Sequence, residues 1–368
     1  MIKYILIFLF AILIGYIWVA FFKKIKLLDK PGPDIIPTRK PVPHIQWVVM
    51  IIWFLLSIAI FFPQYFLDKN INSLFIWSII LGVVTTIDAF KKTSIKFRLL
   101  IQIIVICMAF FLSWVGLNEF VMPWFGEIKF PMIIWLILTI VWFAWFMNAI
   151  NWFDWINWLA SGVSSIWFLT IFLLIHFVVY KSNPDITPEK YQILQLVSNV
   201  SFILFAFSTV YSFIEFKPWW VLRDVGVMFL WFSLAYLSLL WWAKIWTILV
   251  ALSLVIFDSI WVFINRIWIM KKSPMKWDFT HLHYRLLALK WNRTEVRFFI
   301  WIWSLFFMIV MILQWDNRFN KIIIFILMLL LFFGLNVYLF WIKKLPFEYQ
   351  ILKWWKKVEK TDNIWRWT

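Results

Sequence analysis

The sequence predicts an all-α, polytopic membrane protein, and three observations carry that reading. Hydrophobic residues make up 64% of the 368-residue chain and the mean hydropathy is +0.87, whereas soluble domains sit nearer half apolar. Apolar runs of spanning length recur eleven times along the chain. No polar stretch between them is long enough to enclose a core of its own. Residues 1–342 therefore read as a single membrane domain and residues 343–368 as a basic, aromatic tail lying on the membrane surface.

The runs fall at 2–22, 47–66, 71–87, 98–117, 131–147, 159–180, 192–213, 225–240, 244–265, 297–315 and 321–341. The first is not read as a cleaved signal, because Lys23, Lys24 and Lys26 follow it instead of preceding it and no small-residue cleavage site appears. Taking the 23–46 loop as the inner side, the loops and tail on that side carry 27 of the 35 Lys and Arg residues. The positive-inside rule then places the N-terminus outside and the C-terminus in the cytoplasm of a multi-pass cell-membrane protein. That distribution also disposes of the net charge of +17. The excess orients the chain against anionic lipid and phosphate, and nucleic acid is not an expected partner. The single cysteine, Cys107, lies inside an apolar run, so a disulfide framework or a cysteine metal site is ruled out.

Glycine and tryptophan are out of balance. At the usual frequency of ~7%, a chain this long holds roughly 26 glycines; this one has 8, against 31 tryptophans. Many tryptophans stand in polar turns that favour glycine, as in Asp154-Trp155, Asn157-Trp158, Pro218-Trp219-Trp220 and Lys276-Trp277-Asp278. Interfacial aromatic belts would place them at helix ends on both faces. The pattern predicts a gene whose UGA codons mean glycine in its own cell, so that Trp155, Trp158, Trp219 and Trp277 stand for glycines.

Ionisable and amide-rich clusters at the ends of membrane helices are costly, and therefore point to function. Four occur, all on the inner face by the topology above: Thr85 to Asp88, Asn148 to Gly162, Arg223 to Gly226, and His281 to Arg285. A lone Asp at a helix end, such as Asp88, is commonly only a cap. Asp258, inside the ninth run, fits a structural polar pair as well as a functional role. The second cluster is more specific, since Asn148, Asn151, Asp154 and Asn157 recur at spacings of three. Hard oxygen donors (Asp88, Asn151, Asp154, Asp224) beside cations and histidines (Arg98, Arg285, His281, His283) are the set that metal-assisted phosphoryl transfer requires. Mg²⁺ takes oxygen ligands and leaves positions for substrate phosphates, while Arg forks hold the phosphate oxygens.

These residues resemble a known family, the polyprenyl-phosphate N-acetylhexosamine-1-phosphate transferases of glycosyltransferase family 4. The branch most similar is the bacterial undecaprenyl-phosphate N-acetylglucosamine-1-phosphate transferases. The resemblance runs from Leu28-Asp29-Lys30-Pro31 and Pro41-Val42-Pro43 to Ala288-Leu289. With Trp155 and Trp158 read as glycine, the second cluster becomes Asn-Ala-Ile-Asn-x-x-Asp-Gly-x-Asn-Gly-Leu-Ala-x-Gly. Ser273-Pro274 and His281-Leu282-His283 match the family's histidine loop. The resemblance implies a transferase domain over 1–342 acting on undecaprenyl phosphate and a UDP-N-acetylhexosamine within the lipid bilayer, with Mg²⁺ (Mn²⁺ as the alternative) and a homodimer.

By position, the resemblance implies Asn151 and Asp224 as metal ligands and Asn157 as the uracil contact. Asp154 becomes a second polar residue of the nucleotide site, Asp88 acts on the lipid phosphate, and Arg98 sits near phosphate. His281, His283 and Arg285 form a pyrophosphate clamp. Three departures stand against the family pattern: Ala89 replaces the second Asp of the pair, Arg223 and Val227 replace a Gly and a Ser around Asp224, and Tyr284 replaces the last His. They leave room for a non-catalytic relative that binds lipid phosphate or nucleotide sugar. A transporter fits less well, because its ionisable groups would lie near the bilayer midplane.

Overall fold

The computed structural model describes residues 2–25, 46–91, 93–122, 126–153, 159–180, 186–215, 223–240, 250, 253–271, 273, 280–314 and 317–339. For Asp88, Asn151, Arg223 and Asp224 it describes the backbone alone. Among the described residues the fold is all-α and about 88% helical, with 12 α-helices. In chain order these are α1 (Ile2–Ile25), α2 (Gln46–Phe61), α3 (Lys69–Lys91), α4 (Ile95–Ser113), α5 (Met132–Phe153), α6 (Leu159–Leu173), α7 (Pro188–Ile214), α8 (Arg223–Leu240), α9 (Ser253–Ile264), α10 (Leu282–Ala288), α11 (Arg293–Leu313) and α12 (Arg318–Val337). The tail 343–368 lies outside the described residues.

Each of the eleven apolar runs contains one of these helices, but not all reach spanning length. Among the described residues, α1, α3, α4, α5, α6 with its continuation to Val179, α7, α11 and α12 are long and apolar enough to cross a membrane, which is 8 where eleven were expected. Two further helices are apolar but shorter, Trp47–Phe61 in α2 and Gly226–Leu240 in α8. α2 stops before Pro63, which opens a 3₁₀ turn at Pro63–Tyr65; proline supplies no N–H to extend the helix. The run expected at 244–265 is described from Ser253 onward, apart from Val250.

Local chemistry sets the other boundaries. Ser94 caps α4 by accepting from the Phe97 N–H, Thr187 caps α7 with Pro188 in its first turn, and Asn292 and Glu295 form a reciprocal capping box at α11. Two helices continue as π-helix, at Leu174–Val179 and Asn265–Ile269. One element is not in the sequence expectation. Between α4 and α5, β1 (Glu119–Met122) and β2 (Gly126–Lys129) form an antiparallel hairpin, with Glu119 opposite Lys129.

α8 is the axis of the bundle. It is buried along its length from Gly226 to Leu240 and packs against α2, α3, α5, α6 and α7. α6 lies between α7 and α11, and α9 packs on α5, α11 and α12. Ser165 of α6 and Thr209 of α7 hydrogen-bond across the α6–α7 contact at 2.5 Å, and the two helices also bury Ser161, Ser164, Ser198, Ser201 and Ser208. Small residues let the two backbones approach closely where lipid gives apolar side chains no preference for each other.

Candidate active site at one end of the bundle

Four helices meet through a short chain of polar contacts. The Asn148 amide in α5 donates to Gln102 Oε1 in α4 at 2.8 Å. The Gln102 amide points to the Met228 sulfur in α8 at 4.0 Å. The Thr85 hydroxyl in α3 reaches the same sulfur at 3.9 Å while donating to Leu81 O. These contacts put the C-terminal ends of α3 and α5 beside the N-terminal ends of α4 and α8. Alternating helix directions therefore bring all four chain segments to one end of the bundle.

The sequence-predicted residues lie just beyond this layer. Asp88 follows Thr85 by three residues, Asn151 follows Asn148 by three, Arg98 precedes Gln102 by four, and Asp224 precedes Met228 by four. A rise of about 1.5 Å per residue puts each about one turn further toward the same end. The i, i+3 and i, i+4 relation keeps each on the helix face of the residue it extends. One layer of contacts thus sets four helix-borne positions at once. Arg98 is partly buried. Asp154 and Asn157 lie outside the described residues.

The histidine cluster forms a second, buried part. His281 opens the short helix α10; His283 and Arg285 follow within its first turns, and all three are buried. His281 and His283 rings are stacked, with centroids 5.8 Å apart and planes at 13°. Tyr284, standing where the family pattern has a histidine, is buried with its ring 4.1 Å from that of His283. Burial, reinforced by His281 and Arg285, holds the His283 imidazole well below the usual histidine range, so it is neutral near pH 7. Burial also lowers Arg285 to about 10, against the opposing pull of Asp258, and leaves it cationic. Beneath the loop, Asp258 of α9 is completely buried and within hydrogen-bond reach of His281.

The two parts are joined through α9, which carries Asp258 and packs on α5, with Trp145 and Phe263 in ring contact at 6.4 Å. At the same end, buried Glu215 beyond α7 accepts a hydrogen bond from Ser161 of α6, and Arg297 of α11 lies in its electrostatic reach. Sequence reasoning passed over Gln102, Met228 and Glu215. A carboxylate at a membrane-helix end was a usable signal for Glu215; a glutamine and a methionine inside apolar runs carry none.

Among the described residues no group of three or more His, Cys, Asp or Glu side chains could hold a metal ion. The donors expected to do so fit by chemistry: the backbones of Asn151 and Asp224 belong to the same four-helix end, and carboxylate and amide oxygens are the donors that Mg²⁺ prefers.

Comparison with known proteins bears on the same region. The family model of glycosyl transferase family 4 matches residues 71–242, which run from α3 through α8 and include every predicted site residue except the histidine cluster. No curated protein matches the chain. The membrane-spanning helices within residues 71–242 thus carry the signature of glycosyltransferase family 4 to one end of the bundle.

Proposed function

We propose that this membrane transferase moves N-acetylglucosamine-1-phosphate, or a related N-acetylhexosamine-1-phosphate, from its UDP-sugar to undecaprenyl phosphate, and so initiates a cell-envelope polysaccharide at the plasma membrane. The observation that carries this reading is the contact layer of Thr85, Gln102, Asn148 and Met228. It sets Asp88, Arg98, Asn151 and Asp224 one turn beyond it, within the segment that matches the family. An oxygen of the lipid phosphate attacks the β-phosphorus of the UDP-sugar; the bond to the α-phosphate oxygen breaks and UMP leaves. Asp88 orients or deprotonates the lipid phosphate, Arg98 lies near phosphate, and Asn157 and Asp154 serve the nucleotide. His281, His283 and Arg285 face the pyrophosphate, with neutral His283 acting as a hydrogen-bond donor and Arg285 as the fixed charge. Asn151 and Asp224 would hold Mg²⁺, which when bound neutralises charge on the phosphate oxygens.

The test is a transfer assay. Membranes containing the protein, with labelled UDP-N-acetylglucosamine and undecaprenyl phosphate, should yield a chloroform-soluble product only with Mg²⁺ or Mn²⁺ present. Asp224→Asn and Asn151→Ala should each lower turnover by at least about a hundredfold while the protein remains folded. Normal turnover in both variants refutes the metal role. A folded chain that binds UDP-sugar without forming product supports the non-catalytic reading suggested by Ala89, Arg223 and Val227.

A further inference from the structure

The carboxylate of Asp258 is the meeting point of the histidine loop. Its Oδ2 is 2.8 Å from His281 Nδ1, its Oδ1 accepts from the Leu282 N–H at 2.8 Å, and Arg285 Nη2 lies 3.8 Å from Oδ1. Asp258 is 0% exposed and His281 3% exposed, so water does not compete for these contacts. The carboxylate sits on α9, a helix of the bundle, whereas its partners belong to a loop and the short helix α10. A single group thus joins a helix of the bundle to the start of α10, holding one ring, one backbone N–H and one counter-charge.

Resting on the transferase reading above, we propose that Asp258 is a positioning residue, which holds His281 as the Nδ1–H tautomer and leaves the Nε2 lone pair to accept from a hydroxyl of the substrate phosphate. An ionised carboxylate can only accept, so the ring nitrogen facing it must carry the proton. The nitrogen on the other edge of the ring is then set in both identity and direction, which is how the outer partner of a histidine defines its chemistry. The second bond, to the Leu282 N–H, ties the backbone at the ring's own position to the same carboxylate. The imidazole therefore cannot turn without breaking a contact that also anchors α10. Parallel stacking of His283 on His281 carries that orientation one residue pair further along the loop.

The chain has 4 histidines, few enough for direct observation. Full-length protein in lipid nanodiscs, labelled with ¹⁵N-histidine and with His281 assigned through His281→Gln, should show His281 protonated on Nδ1. In Asp258→Asn that signal should shift or become a tautomer mixture. An unshifted His281, or one protonated only on Nε2 in the unaltered protein, overturns the proposal. In the transfer assay, Asp258→Asn should lower kcat by about ten- to a hundredfold, with KM for the UDP-sugar within about twofold. It should have little further effect in the His281→Gln background, because both changes remove one interaction. Asp258→Glu, which keeps the charge, should recover part of the loss and provides a folded comparison if Asp258→Asn is unstable. Additive losses, or an unchanged kcat, overturn the positioning role. A protein with the expected tautomer and no transfer activity would instead count against the transferase reading and leave the Asp258–His281 contact standing.

Discussion

The two parts of the candidate site are held by different means. The oxygen-donor part rides on long helices: Asp88, Arg98, Asn151 and Asp224 are each one turn from a residue in interhelical contact, and those contacts are a neutral amide bond and two weak approaches to a methionine sulfur. The histidine part has no long helix. α10 spans 7 residues, and its placement depends on buried charges that meet Asp258. Where a helix supplies the geometry, weak contacts are enough to align its neighbours. Where a loop supplies it, side chains must do the anchoring, and strong charge-assisted bonds take over.

The largest expected effect falls on the segments that adjoin the helix-borne part in the sequence. Trp155 and Trp158 follow α5, and Trp219 precedes α8. Glycine permits a backbone to approach a phosphate closely and to take positive φ, and an indole permits neither. Replacing Trp155, Trp158, Trp219 and Trp277 by glycine should raise transfer at least about a hundredfold, equivalent to about 2.7 kcal/mol of barrier. The gene's codons give the same answer more cheaply. UGA at these positions with UGG at other tryptophans supports the reading, and UGG throughout ends it. The structure adds Trp114 to the set, since it closes α4 in the left-handed conformation at φ 58°, the position helices commonly give to glycine. Trp53, Trp167 and Trp231 bury indole N–H groups with no hydrogen-bond partner among the described residues. Each such group costs about 1–3 kcal/mol, a burden that disappears wherever the codon means glycine.

How much of this was legible in the sequence follows the same division. Helices were legible because apolar runs longer than a bilayer core have no other stable form in lipid, and the polar residues ending them stood out by cost alone. The hairpin Glu119–Lys129 was not, because two four-residue strands are too short for alternation to show. The contact layer was hidden for another reason. Thr85 and Met228 are 143 residues apart and Gln102 and Met228 are 126 apart, and nothing in the local pattern of either helix marks such pairs. Asp258 was visible as a charge inside an apolar run. Its partner His281, 23 residues on, could be recognised only once the chain was folded, which is why the sequence balanced structural and functional roles for it.

A smaller effect should appear in the histidine part as a pH dependence. His283 lies well below the ordinary histidine value of about 6.5 because it is buried, with His281 and Arg285 adding to the effect. The unfolded chain therefore takes up a proton more readily than the folded one. Stability from this group is complete above about pH 6.5 and is lost as pH falls toward the folded-state value. The loss grows by at most about 1.4 kcal/mol for each pH unit below about 6.5. Thermal unfolding in detergent between pH 7.5 and 5 should show it, and His283→Gln, which cannot be protonated, should flatten the slope. An unchanged slope would mean that another group governs the acid limb, and that the histidine part is less tightly enclosed than its geometry indicates.

The smallest expected effect is the sharpest test of the contrast itself. Gln102→Leu removes the acceptor of the Asn148 amide and the donor to the Met228 sulfur, the two links that join α4 to α5 and α8. Asn148 keeps one of its two amide N–H bonds, to Ala144 O at 2.7 Å, and is only partly buried, so the stability cost should be near the net value of one hydrogen bond, about 1 kcal/mol. If long helices supply the geometry, that loss should pass to turnover only weakly, by about three- to fivefold, because Asp224, Asn151 and Asp88 remain on helices that pack directly against one another, α8 with α5 and α3. Asp258→Asn breaks contacts of similar length on the loop side, yet should cost more than Gln102→Leu, since no helix packing replaces what is lost. Measuring kcat and thermal stability for both variants decides the matter. A Gln102→Leu defect as large as that of Asp258→Asn would show that the amide contact, and not the helix packing, sets the oxygen-donor part, and the division between the two parts would fall.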